Sequence, residues 1–291
     1  MGSKCTTARI GIGRPGKLAR ALLAAASLAL AGCAAAPERD DSAEAEFPRI
    51  VSLNPCIDAV LVELAAPDQL LAISHYSRDP AASSIPAGVA ARYRTTGGTV
   101  EEVLALDPDL VLASSFLPPA TRTALEDLGV EVATFGIAAT PDASIAQLRE
   151  IARLAGREAS GEALVAEIKA ALAVTGAYPD EPALSAVLWQ PGQIVPGEAT
   201  LVSALMRHTG FASQSAALGM GQADYLSLEQ VLANPPDVLL VAGDAPAQRH
   251  PALQQLHGTR IASFDPSLIY CGGPSMIRAA ERLAAIRDSA T

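Results

Sequence analysis

From Arg49 onward the chain switches repeatedly between two hydrophobic periods. Short unbroken apolar runs, as expected for strands buried on both faces, alternate with stretches in which apolar residues recur every three or four positions. The pattern predicts strands over residues 49–53, 70–74, 109–113 and 130–135, and helices over 58–64, 99–106 and 121–128. Two helical stretches follow, about 141–155 and 160–174. Thr140-Pro141 opens the first in cap-and-first-turn style and Gly156 closes it. The second carries Leu164, Val165, Ile168, Ala171 and Leu172 along one stripe, and residues 176–182 break it. A new strand, 184–189, then begins. Strands interleaved with helices predict an α/β fold with mostly parallel sheets.

The chain also repeats itself. Residues 101–112 read EEVLALDPDLVL and residues 229–240 read EQVLANPPDVLL, with seven of twelve positions identical at a constant offset of 128. Each copy is a helix end, a proline-marked turn and a buried strand. The echo predicts two similar lobes, residues 49–156 and 183–291, joined by a single long helix within 157–178.

The first 32 residues follow a different logic. They carry Lys4, Arg9, Arg14, Lys17 and Arg20, no acid, and the ten-residue apolar run 21–30. That run is too short to span a bilayer and suits a signal peptide. Leu30-Ala31-Gly32-Cys33 resembles a bacterial lipobox, which implies cleavage, a diacylglycerol on Cys33, and residues 33–48 as lipidated cysteine and flexible tether. Gly11 to Lys17 contains a GxGxxG pattern, but no strand precedes it and Leu18 stands where a phosphate loop needs Ser or Thr. Removing five basic residues and no acidic one takes the net charge from −10 to −15. Such a balance excludes a general nucleic-acid binder.

Within residues 49–287 the chain resembles the helical-backbone class of periplasmic substrate-binding proteins, which serve ABC importers of cobalamin, ferric siderophores and haem. The resemblance rests on Arg49-Ile50-Val51-Ser52-Leu53-Asn54-Pro55 followed by Asp58, and on Gly97-Gly98-Thr99-Val100-Glu101 leading to Leu106-Asp107-Pro108-Asp109. It rests too on Leu228-Glu229-Gln230-Val231-Leu232 leading to Pro236-Asp237-Val238, and on a late Pro274 before the last helix. It implies two Rossmann-like lobes with the ligand cleft between them. It further implies that Glu101 and Glu229 dock onto arginines of a permease dimer with its ATPase, that the protein is a monomer, and that it sits in the periplasm, lipid-anchored to the envelope. A bound metal or cofactor of its own is not implied.

The expected cleft residues are Asn54, Pro55 and Cys56 after the first strand, then His75, Tyr76 and Arg78 after the second, with Arg94 near the docking helix. Trp189, Tyr270 and Cys271 come from the second lobe. Trp189, the only tryptophan, reads either as a core residue or as a flat cleft wall. Arg78 reads either as a clamp for an anionic ligand or as the partner of Asp79. Three readings stand for Cys56 and Cys271: free thiols, metal ligands with His75 as a third, or a disulfide if their Cα atoms come within about 7 Å. His208, His250 and His257 have no ligand spacing.

Cobalamin is the first expected ligand, because Tyr76, Trp189 and Tyr270 offer rings and no basic cluster awaits an anionic chelate. A ferric siderophore held by Arg78, Arg92 or Arg94 comes second. Haem, with Tyr76 or His75 as axial ligand, comes third. The rival class is an envelope thiol hydrolase with Cys56 as nucleophile beside His75 and Asp58. The mature chain contains no GxSxG, HExxH or phosphate-loop motif.

Overall fold

The structure, a computed structural model, describes residues 47–176, 178 and 181–290. The expected signal peptide, the GxGxxG segment, Cys33 and most of the tether lie outside the described residues.

The first lobe opens with β1 (Ile50–Ser52) and α1 (Pro55–Leu64). Then come β2 (Leu70–Ser74), a 3-10 turn over His75–Arg78, α2 (Ala87–Ala90) and β3 (Thr95–Thr96). The lobe continues through α3 (Val100–Leu104), β4 (Leu110–Ser114), α4 (Pro119–Asp127), β5 (Glu131–Phe135) and α5 (Pro141–Leu154). All strand pairings are parallel, in the order β3-β2-β1-β4-β5. Every strand therefore ends on one edge, and the order reverses between β1 and β4. Loops diverge at such a reversal and leave a crevice outside the strand ends.

Helix α6 (Glu158–Thr175) leads to the second lobe. It holds β6 (Leu184–Trp189), β7 (Ile194–Val195), α7 (Leu201–His208), β8 (Phe211–Ser213) and α8 (Gln214–Ala217). These are followed by β9 (Asp224–Tyr225), α9 (Leu228–Ala233), β10 (Val238–Ala242), β11 (Arg260–Phe264) and α10 (Ser275–Asp288). The main sheet is again parallel, ordered β11-β10-β6-β8, while β7 and β9 form a small antiparallel ribbon. Among the described residues no helix is long and apolar enough to cross a membrane.

The sequence echo is a structural one. Thr99 caps α3 by accepting from the Glu102 amide, and Ser227 caps α9 by accepting from the Gln230 amide. Both hydroxyls satisfy a backbone donor that the first helical turn leaves open. Glu101 and Glu229 occupy the same place in these first turns, and both are exposed. The lobes also share one core. Ile50, Leu61, Leu148, Ile168, Leu188 and Leu283 belong to a single buried cluster, all essentially inaccessible. Gly161, Leu164, Val165, Ile168 and Thr175 of the joining helix are all buried, so that helix is packed along its length rather than free.

Candidate ligand cleft

A pocket of about 170 Å³ lies over the carboxyl ends of β1, β4 and β5. Asn54, Cys56, Ile57 and Val60 bring the N-terminal end of α1 to it. Ser114 and Phe116 come from the end of β4, and Phe135, Gly136 and Ile137 from the end of β5. Ser144, Gln147 and Leu148 face it from α5. The second lobe closes it with Tyr270, Gly272 and Gly273. It is thus the crevice of the first sheet's reversal point, roofed by a loop of the second lobe.

Local bonding explains these positions. Asn54 caps α1, its Oδ1 accepting from the Cys56 amide at 2.8 Å and the Ile57 amide at 3.2 Å, while Pro55 fills the first helical position, where no amide hydrogen is needed. Pro55 and Cys271, both expected at the cleft, are not among its lining residues. Among the described residues the Asn54 amide Nδ2 has no hydrogen-bond partner. The Gln147 Nε2 donates to the Gly136 carbonyl at 2.7 Å and fixes the loop after β5, and among the described residues Oε1 has no donor. Phe116 is 74% exposed and Ile137 60%, so two large apolar side chains stand at the rim instead of in the core.

Cys56 and Cys271 form a disulfide, with Cα atoms 4.9 Å apart. It joins the second residue of α1 to the loop before α10 and so links the lobes beside the pocket. This corrects two of the three readings: neither sulfur is a free thiol or a metal ligand. It equally removes the thiol-hydrolase reading, because a disulfide sulfur is no thiolate nucleophile. Among the described residues no cluster of three or more His, Cys, Asp or Glu side chains could hold a metal ion.

Trp189 requires a further correction. Its ring is fully buried with Val187, Val195, Leu226 and Leu239, and its Nε1 donates to the Leu226 carbonyl at 2.9 Å. An indole with its one donor satisfied in the second lobe's core has no face to offer a ligand. Its neighbour Gln190, also buried, accepts at Oε1 from the hydroxyl of the lining residue Tyr270 at 3.3 Å.

His75, Tyr76 and Arg78 follow β2 on the same strand-end edge, but they are not among the pocket's lining residues. The His75 and Tyr76 rings lie 4.0 Å apart, and the His75 Nδ1 is 3.3 Å from the Thr96 carbonyl. Arg78 forms no ion pair with Asp79; its Nη2 donates to the Tyr93 carbonyl at 2.6 Å. Arg94 is exposed beside β3, away from the pocket lining.

Asp58 is fully buried on α1, and its Oδ2 accepts from the Ser74 amide at 2.9 Å and the Ser77 hydroxyl at 2.6 Å. These bonds tie the turn carrying His75 and Tyr76 to α1. Burial pushes the Asp58 carboxyl up to about 7, against the pull of the Ser52 and Ser77 hydroxyls and the Ser74 amide. Its Oδ1 is buried without a hydrogen-bond partner.

Comparison with known proteins supplies the family. A family model described as periplasmic binding protein matches residues 50–264, which span both lobes. The chain belongs to the periplasmic binding protein family. A cobalamin-binding protein of Halobacterium salinarum is 29% identical to this periplasmic binding protein over 212 residues, 69% of this chain and 56% of that relative. The chain thus spans little more than half the length of that relative. Among solved structures, the apo haem-binding protein RhuT from Roseiflexus sp. RS-1 aligns with a TM-score of 0.68 at 23% identity, over 84% of this chain and 100% of its own. The vitamin B12-binding protein BtuF of Vibrio cholerae aligns with a TM-score of 0.63 at 18% identity, over 84% of this chain and 98% of its own. These two likenesses are of fold.

Sequence reasoning missed the ends of β4 and β5 and the inner face of α5. The signal was present: once both strands were placed in a parallel sheet, the residues just beyond them, Phe116 and Ile137, had to lie on the edge that carries the candidate cleft.

Proposed function

We propose that this periplasmic binding protein captures an amide-rich corrinoid of the cobalamin type, neutral in net charge, and delivers it to an ABC permease. One observation carries the choice of ligand: among the described residues, no ionisable side chain lines the pocket apart from the Tyr270 phenol. A haem brings two carboxylates, and a ferric siderophore complex is commonly anionic; either would be desolvated here without a cation to pair with it. The amides of a corrin periphery need donors and acceptors instead, and Asn54 Nδ2 and Gln147 Oε1 supply one of each. The closed pocket holds part of so large a ligand. The remainder lies against the exposed rim of Phe116, Ile137 and Tyr270. The cobalamin-binding relative supports the same reading. Haem is the competing cargo, because Tyr270 is the one lining side chain able to ligate iron.

Delivery is assigned to Glu101 and Glu229. Two exposed acids, held at equivalent places on lobes that share a core, give register to a transient complex with permease arginines. Cys33 carries the lipid that keeps the protein at the envelope. The role is binding without catalysis.

Competition dialysis of the protein against cyanocobalamin, haemin and a ferric tris-catecholate tests the ligand class. Retention of cyanocobalamin in the presence of the other two supports the proposal. Preferential retention of either anionic chelate contradicts it.

A further inference from the structure

We infer that the Cys56–Cys271 disulfide positions Tyr270 as the second lobe's wall of the pocket, and that reduction of this bond by a dithiol releases that wall. The binding consequence rests on the corrinoid reading; the structural consequence does not.

Tyr270 is poorly held by its own contacts. Its ring is 50% exposed, and among the described residues the only hydrogen bond of its side chain is the long one to Gln190. Where the ring stands is therefore set by its backbone, and the next residue is Cys271. The loop carrying both is fastened to the first lobe at three places. The Ser84 hydroxyl donates to the Ser267 carbonyl at 2.6 Å, and the Gly273 amide donates to the Ser144 hydroxyl at 2.7 Å. The disulfide is the third, between them. Leu268 and Ile269 are buried as well. Within the second lobe, the Ser275 hydroxyl donates to the Cys271 carbonyl at 2.6 Å and to the Gly272 carbonyl at 3.0 Å. Cutting the disulfide leaves these bonds and both ends of the loop in place, and removes the covalent tie that holds Tyr270, the residue that closes the pocket, against the first lobe.

The chemistry balances. A dithiol thiolate attacks the sulfur of half-buried Cys56, the S–S bond breaks, and Cys271 leaves as a thiolate that takes a proton. The second thiol of the reagent then displaces Cys56, which is protonated in turn. Two electrons enter the protein and the reagent departs as a cyclic disulfide. An oxidising envelope keeps the bond closed.

The test uses the full chain labelled with 3-fluorotyrosine, which has five tyrosines, with the Tyr270 resonance assigned from Tyr270→Phe. On adding dithiothreitol, the Tyr270 resonance is expected to narrow and move toward free fluorotyrosine while the other four stay in place. In parallel, cyanocobalamin dissociates roughly tenfold faster from the reduced protein. In Tyr270→Ala it dissociates fast already and reduction adds nothing. An unmoved Tyr270 resonance overturns the inference, as does movement of all five, which makes the disulfide a support of the whole fold. A full response to reduction in Tyr270→Ala also overturns it. If cyanocobalamin binds no form of the protein, the corrinoid reading fails, and the fluorine spectrum alone decides the present inference.

Discussion

Asp109 and Asp237 make the same bond in the two lobes. The Asp109 Oδ2 accepts from the Arg49 amide at 2.7 Å, and the Asp237 Oδ2 accepts from the Ser185 amide at 2.8 Å. Each carboxylate stands just before a central strand, β4 or β10, and fastens the chain at the beginning of the strand beside it. The bond explains why aspartate occurs at both places of the echo. Asp109→Ala and Asp237→Ala are each expected to lower unfolding free energy by about 1 kcal/mol, and to add in the double variant because the sites lie in different lobes. Urea titration of the four proteins measures this.

The proposed permease docking is separable from ligand capture. Glu101→Ala and Glu229→Ala remove exposed charges on α3 and α9, and neither residue lines the pocket. Each substitution is expected to leave cyanocobalamin affinity unchanged and to lower uptake in cells by roughly tenfold, since rim charges act on encounter and register. Loss of affinity in either variant contradicts the assignment.

Asp58 gives the fold an unusual response to pH. Its folded value is about 7 against an ordinary 3.8, so the folded state holds the proton more tightly than the unfolded chain does. Its contribution to stability is full below the ordinary value and is lost as pH rises through 7. Between pH 5 and 8 this group alone is expected to reduce unfolding free energy by roughly 2–4 kcal/mol. Asp58→Asn, which keeps an acceptor for Ser74 and Ser77 and cannot ionise, flattens that part of the profile. Thermal melts of both proteins across the range measure the difference.

The second lobe's loop meets α5 without room for a side chain. A Cβ on Gly272 would overlap the Ser144 hydroxyl and lie 2.8 Å from the Ser144 Cβ. Gly272→Ala is expected to cost about 1–3 kcal/mol by forcing the loop off α5. In a double-mutant cycle with Ser144→Gly, the two changes couple by about 1 kcal/mol or more, because the second removes the obstacle to the first. Simple additivity contradicts the contact.

The fold was legible in the sequence because its two periods are clean. Runs such as Leu110-Val111-Leu112 fit only a strand covered on both faces, and the repeat with its offset of 128 announced the second lobe. The site was legible in part. Asn54 and Cys56 follow the first strand directly, and their place at the cleft needs only the strand's direction. Tyr270 was reached through the resemblance. Phe116 and Ile137 were passed over because an apolar residue after a strand reads as more core until the sheet order is known. Trp189 was misplaced for the converse reason: a strand alternates its faces, and the position of a single residue at its end does not say which face is buried. Between the three readings of Cys56 and Cys271, 215 positions apart, only the meeting of the lobes could choose.

A pocket lined without charge is expected to select a ligand without net charge. Calorimetric titration with cyanocobalamin at low and high salt, with haemin titrated under the same conditions, measures this. Cyanocobalamin is expected to bind saturably, one to one, with an affinity that changes little with salt, and haemin to bind much more weakly. Absence of saturable binding by cyanocobalamin, or tighter binding of haemin that weakens steeply as salt rises, contradicts it.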